Sequence, residues 1–188
     1  MKVSDIEFDD EAFKAVVLDV SSSLGIEDAD DVIELRCRKK KISSVKGIEH
    51  FKNLKLLDLT RNNLTDLDLT HNRALQELYL GNNQLDSLDL SPLSELFHLE
   101  IFINDISELK LDACPKLENL YANANDLTSL DLSANPNISE IQVSDNNISD
   151  INLPEGVLLG TLKAENNPLP ESVKERLKSR VKTHKLKI

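Results

Sequence analysis

Long apolar runs are missing from this 188-residue chain. Nothing in it approaches the roughly 18 consecutive apolar residues that cross a bilayer. The opening MKVSDIEFDDEAF has no cationic segment leading into an apolar core and no small-residue cleavage site. A membrane-spanning or Sec-exported protein is therefore not expected; a cytoplasmic one is, with signal-independent secretion left open. Cysteine is scarce: Cys37 and Cys114 lie far apart, which supplies neither a disulfide framework nor a zinc spacing and suits a reducing compartment. Positive charge is short as well, the net charge being −11. Residues 171–188 carry seven Lys or Arg against two Glu, a local +5, so residues 1–170 stand at −16. An acidic body repels nucleic acid and anionic lipid, and neither is expected as a partner. With 40% apolar and 29% charged residues, the chain reads as one globular domain.

What is present is a period of 21 residues. Leu54, Leu75, Leu96, Leu117, Ile138 and Leu159 head successive copies, and Leu57, Leu78, Leu99, Leu120, Ile141 and Leu162 stand three places on. Asn62, Asn83, Asn104, Asn125, Asn146 and Asn167 stand eight places on, and Leu64, Leu85, Ile106, Leu127, Ile148 and Leu169 ten. An earlier copy of 22 residues begins at Val32 and runs through Leu35, Cys37, Ile42, Val45 and Ile48. The pattern L-x-x-L-x-L-x-x-N-x-L is that of a leucine-rich repeat. It predicts an α/β solenoid of about seven coils with the last one partial, over residues 32–169. Short parallel strands should line its concave face. One coil alone buries no core, so the copies must fold together. The asparagine column is expected to be structural, because a carboxamide can satisfy backbone donors and acceptors where each coil leaves its strand. N-x-S/T matches at Asn63, Asn137 and Asn147 are generated by the repeat itself, and glycosylation is not expected.

The later part of each copy, TDLDLT, DSLDLS, SELKLD, TSLDLS and SDINLP, alternates apolar and polar residues. This predicts a second short strand in every coil. Asp68, Asp89, Lys110, Asp131 and Asn152 would form one outward column there, with Lys110 relieving repulsion between Asp89 and Asp131. Calcium bridging of those carboxylates competes with simple solvation; no clustered acidic loop is present, and no metal is expected. The open ends of a solenoid need covers. Residues 1–31 offer one, with Asp9 and Asp10 as caps for a helix over about residues 11–20, an apolar face of Phe13, Val16, Val17, Val20 and Leu24, and Gly25 as a stop. Residues 170–188 offer another. Pro168 and Pro170 end the last coil, and a basic helix starts near Glu171 with Val173, Leu177 and Val181 inward and its charges solvated.

Residues 75–135, reading LxxLxLxxNxLxxLDLSxN, resemble the 21-residue repeats of the bacterial internalin J-type family. Residues 42–59, ISSVKGIEHFKNLKLLDL, resemble the first repeat of internalins generally. The likeness covers about residues 32–169 and implies an open right-handed arc that binds other proteins. Surface-anchored relatives carry a signal peptide, cell-wall or adhesin modules and often a Cys in the first strand of the repeat; here Cys37 is the one thiol at such a place. Residues 18–28, LDVSSSLGIED, are similar to degenerate calcium loops that precede the repeats in some bacterial homologues, without the Asp series and central Gly of a working loop.

Catalytic candidates are few. His50 and His71 fall in turns and His184 in the tail, leaving His98 on a concave strand beside Glu100 and near Glu77, as either an acid/base pair or a solvated hydrogen bond. Cys37 falls in a core column and Cys114 in a turn before Pro115. Effector ubiquitin ligases join such repeats to a separate catalytic domain, for which 188 residues leave no room. A non-enzyme without cofactor or metal is expected.

The outward positions lie two, four, six and seven places after each column head. Coil by coil they hold Glu34, Arg36, Arg38 and Lys39; Leu56, Asp58, Thr60 and Arg61; Glu77, Tyr79, Gly81 and Asn82; His98, Glu100, Phe102 and Ile103; Asn119, Tyr121, Asn123 and Ala124; Glu140, Gln142, Ser144 and Asp145; Thr161, Lys163, Glu165 and Asn166. Both tyrosines are thus outward. With Phe102, Ile103, His98 and Glu100 they form a candidate partner-binding centre, flanked by Arg36, Arg38, Asp58 and Arg61. Two outcomes stay open for Phe102 and Ile103: they face a partner, or they fold over the strand edge onto the coil. The leading expectation is a protein-interaction module, monomeric by default. The alternatives are a secreted effector or adhesin engaging a host protein or glycan, and an inhibitor or immunity-type subunit of an enzyme.

Overall fold

The structure, a computed structural model, describes residues 1–182 and 185–188. His184 lies outside the described residues. The strands in chain order are β1 (Glu34–Arg36), β2 (Leu56–Asp58), β3 (Glu77–Tyr79), β4 (His98–Glu100), β5 (Asn119–Tyr121), β6 (Leu130–Asp131), β7 (Glu140–Gln142), β8 (Ile151–Asn152), β9 (Thr161–Lys163) and β10 (Leu186–Lys187). The helices are α1 (Glu11–Leu24) and α2 (Glu171–Lys178).

Each concave strand except the two-residue β10 is three residues long with its middle aliphatic residue pointing inward, as pleating requires. Strands of successive coils pair in parallel in the order β1-β2-β3-β4-β5-β7-β9-β10. Leu57 pairs with Leu78, Leu78 with Leu99 and Leu99 with Leu120. The step is the 21-residue period of the sequence. Between β1 and β2 it is 22, with Glu34 opposite Leu56. The extra residue falls after Val45, where Gly47 adopts φ 103° ahead of a 3-10 turn over Ile48–His50. A side chain at Gly47 would also strike the Phe8 ring, a Cβ there lying 2.7 Å from Phe8 Cδ1.

Inside, the aliphatic columns form one continuous core from Val3 through Leu177 and Val181. Asn83 shows how its polar seam is built. Its Nδ2 donates to Leu80 O of its own coil at 2.9 Å and to Leu59 O of the preceding coil at 3.1 Å, while its Oδ1 accepts from Leu64 N at 3.1 Å. Asn104, Asn125, Asn146 and Asn167 repeat the arrangement. Every carboxamide therefore reaches back to the coil before it. A second, shorter asparagine column is present that sequence inspection missed. Asn72 donates to Ile48 O and Phe51 O, and Asn135 to Leu111 O and Cys114 O. Leu93 and Cys114 fill the same place in the coils between, and Cys114 turns its thiol toward Leu90 O. Cys114 is thus buried in a column of its own rather than lying in a surface turn.

The second strand is not universal. β6 and β8 pair with each other, with Leu130 N donating to Asp150 O and Leu132 N to Asn152 O, and no other described coil carries such a strand. On this side a groove of about 600 Å³ is lined by residues 66–67, 86–91, 107–108, 110 and 112–113. The acidic column folds back on its own turns. Asp68, Asp89 and Asp131 each accept from the backbone N–H two residues on, at 2.9 Å, and their carboxyls stand below the usual range, Asp68 through the Thr70 hydroxyl and then that amide, Asp89 and Asp131 through the amide and then the hydroxyl of Ser91 and Ser133. Asn152 donates to Asp131 at 3.1 Å, whereas Lys110 pairs within its own coil with Glu108. Among the described residues no group of three or more His, Cys, Asp or Glu side chains is placed to hold a metal ion.

At the amino end, α1 is capped by Asp10, whose Oδ1 accepts from Ala12 N and Phe13 N, and it stops at Gly25 with φ 66°. The other oxygen, Oδ2, accepts from Ser43 N, Ser43 Oγ and Ser44 N of the first coil. Phe13 and Val17 are the buried face. Leu24, expected on that face, is 70% exposed because the helix reaches it only at its last residue, past the edge of the coil. At the other end Val173 and Leu177 of α2 are buried and Val181 bridges to Leu159. The chain then does not trail away: β10 adds a parallel strand to β9, with Leu186 opposite Leu162. Among the described residues, no helix is long and apolar enough to cross a membrane.

Candidate partner-binding face

Register decides which outward side chains meet. The positions two after each head place Glu77, His98 and Asn119 in one row, and the positions four after it place Tyr79, Glu100 and Tyr121 in another. The rings bridge the rows. His98 lies between the tyrosines, 4.9 Å from the Tyr79 ring and 5.4 Å from the Tyr121 ring, both tilted near 40°. Such spacings are those of favourable ring pairs. Below the stack, His98 Nε2 is 3.1 Å from Glu100 Oε1. The tyrosine hydroxyls donate outward, Tyr79 to Glu77 and Tyr121 to Glu140. Burial first, and then these carboxylates, push both phenols up, Tyr121 to about 12. Neither hydroxyl is activated as a nucleophile. Nor are the thiols: burial pushes Cys37 up to about 12 and Cys114 to about 11.

Phe102 and Ile103 divide between the two open outcomes. Phe102 turns toward the preceding coil and is half-buried over Gly81, where a Cβ would stand 2.4 Å from its Cε1 and Cζ. Gly81 is the gap that admits the ring. Ile103 faces solvent and is 49% exposed. Its backbone is left-handed, φ 54°, and so is every residue in its column: Lys39, Arg61, Asn82, Ala124, Asp145 and Asn166 have φ between 54° and 59–60°. Asparagine and aspartate tolerate that region, whereas a β-branched residue is strained in it. The fourth coil therefore holds an exposed isoleucine at a conformational cost its neighbours avoid.

The flanks differ from their expected places. Asp58 is not outward but buried, at 7% exposure, with Oδ1 turned back to accept from Thr60 N at 2.9 Å; it cannot serve as a rim charge. Arg36 is exposed and paired with Glu34. Arg38 and Arg61 are exposed at the edge of coils one and two, apart from the ring stack. The structure thus brings together Tyr79, His98, Glu100 and Tyr121, sets Phe102 and Ile103 beside them, and leaves the arginines at the rim. Of the two acceptors of the tyrosine hydroxyls, Glu77 was noted in the sequence only as a neighbour of His98, and Glu140 was not singled out, although its offset from the tyrosine column was visible.

Strand ladder, asparagine seam and leucine columns together define a leucine-rich repeat solenoid. No protein-family model and no curated protein matches the sequence. Among solved structures, the chain is similar to an internalin, InlF, of Listeria monocytogenes, at 24% identity over 79% of this chain and 47% of that one, with a TM-score of 0.72. It is also similar to the functional domain of InlJ from the same organism, which includes a cysteine ladder, at 23% identity over 91% of this chain and 48% of that one, TM-score 0.58. A third is the LRIM1/APL1C complex, at 24% identity over 69% of this chain and 26% of that one, TM-score 0.62. The likeness is one of fold, which is internalin-like, and the chain spans less than half the length of each of these. In this chain the two free thiols sit in different columns and do not stack.

Proposed function

We propose that the chain is a non-catalytic protein-interaction module that receives a partner protein on its concave sheet, around Tyr79, Phe102 and Tyr121, and that it works in the cytoplasm. One observation carries the reading: Tyr79, His98, Phe102, Ile103 and Tyr121 lie together on three adjacent coils, in a face whose other outward residues are polar or charged except Leu56, Gly81 and Ala124. Clustered aromatic and aliphatic side chains rimmed by charge supply most of the energy of a protein interface. The chemistry on the face supports the non-catalytic half, since its hydroxyls serve carboxylates and its histidine pairs with Glu100. The LRIM1/APL1C structure is itself that of a complex. Replacing Tyr79, Phe102 and Tyr121 by alanine should abolish co-purification of the partner from the native cell while leaving the unfolding midpoint within a few degrees. Undiminished co-purification would reject the face.

A further inference from the structure

We propose that the centre of the concave face receives a positively charged side chain, an arginine or lysine that the partner protein presents next to an apolar residue, with Glu100 as its counter-ion. The proposal rests on the docking reading above and adds the partner's chemistry. The first ground is charge complementarity. Outward positions of coils three to six hold Glu77, Glu100, Glu140 and Asp145 and no Lys or Arg. The cations of the face lie beyond this stretch: Arg36 pairs with Glu34 and Lys163 with Gln142 at 3.4 Å, while Arg38, Lys39 and Arg61 are exposed at the edge of coils one and two.

The second ground is where Glu100 stands. Register puts it directly between Tyr79 and Tyr121. Both hydroxyls bond Glu77 and Glu140 rather than Glu100. Its Oε1 accepts from His98, and its side chain is 27% exposed. A guanidinium or ammonium docking here gains a carboxylate beside the Tyr79–His98–Tyr121 ring stack, a setting that favours arginine. The third ground is the neighbour. Exposed Ile103 and the half-buried Phe102 ring adjoin Glu100 along the chain, so a cation docking on Glu100 brings its own flanking residue over apolar surface. The exposed Arg38, Lys39 and Arg61 at the edge of coils one and two repel the same segment and orient it toward the middle coils.

The test titrates the isotope-labelled full chain with two synthetic peptides, acetyl-Ala-Leu-Arg-Leu-Ala-amide and its twin with neutral citrulline for arginine, following backbone amide shifts. The arginine peptide should shift the Tyr79, Glu100 and Ile103 amides saturably and bind roughly tenfold more tightly than the twin. Glu100→Gln, which can keep its contact with His98, should bring both peptides to the weaker level. Equal binding of the two peptides at these amides would overturn the cation and leave the docking reading in place. Shifts confined to the caps or to the opposite side of the coils, or no saturable shift, would overturn the assignment, the former also counting against the docking face. Self-association of the free chain through these amides, seen by sedimentation, would overturn it in favour of a second copy as occupant.

Discussion

The Phe102 ring occupies the space where Gly81 lacks a side chain, with a Cβ at residue 81 falling 2.4 Å from the ring. The two residues belong to adjacent coils and have to be chosen together. Gly81→Ala should expel the ring into solvent and cost about 1–2 kcal/mol. The same substitution in a Phe102→Ala background should cost little. A double-mutant cycle read by urea unfolding measures the coupling, and additive effects would show that the ring moves aside freely.

Ile103 makes the opposite kind of demand. Ile103→Asn places in the left-handed position a residue that tolerates it, and should raise stability by roughly 0.5–1 kcal/mol while weakening partner binding. Chemical denaturation and a binding assay on one preparation read both signs. A loss of stability would mean that Ile103 packs rather than waits for a partner.

Asn104 donates to Ile101 O and Leu80 O and accepts from Leu85 N. Asn104→Ala strips partners from three buried backbone groups and should cost about 2–4 kcal/mol. Asn167, at the end of the seam and less enclosed, should cost less under the same change. Thermal unfolding ranks the two.

The Asp10 carboxyl is pushed up by burial, but the amides of Ser43 and Phe13 and the Ser43 hydroxyl together hold it below its ordinary value. A carboxyl whose folded value is depressed stabilises the fold above its unfolded value, and the gain is lost as pH falls through the folded value. Asp10→Ala should therefore cost about 1–2 kcal/mol at neutral pH, and the gap from the parent chain should narrow as the solution is acidified below the ordinary aspartate range. A gap independent of pH would remove the charge from the explanation.

Tyr121 runs the other way. Its phenol stands at about 12, so the fold favours the neutral form; that contribution is complete below the unfolded value and disappears as pH rises through the folded one. Ultraviolet titration should show late ionisation in the native chain, and Glu140→Gln should bring it earlier by removing the charge that accepts the hydroxyl.

Leu57, Leu78 and Leu99 were readable as a stacked column because burial at a fixed interval leaves a one-dimensional trace in the sequence. The outward map followed from the same spacing and located Tyr79, Glu100 and Tyr121 correctly in one row. What it could not supply was direction. Asp58 occupies an outward position yet turns back to Thr60 N, and Phe102 leans onto Gly81, because χ angles depend on the adjacent coil and not on the interval. The second strand failed for a related reason. Alternation reports which residues are buried, and Leu67 and Leu109 are, but a ladder also needs coils close enough to bond, and that spacing is set by curvature. The β10 strand had no signal, since Leu186 and Lys187 are too short a run to announce a pairing.

The backward reach of the asparagines gives the molecule the property of a ruler. Because each carboxamide bonds only within its own coil and to the one before it, excising or duplicating a whole 21-residue unit rejoins equivalent ends. The length of the concave surface can then change in steps of about 5 Å while the asparagine seam of every remaining rung stays as it was.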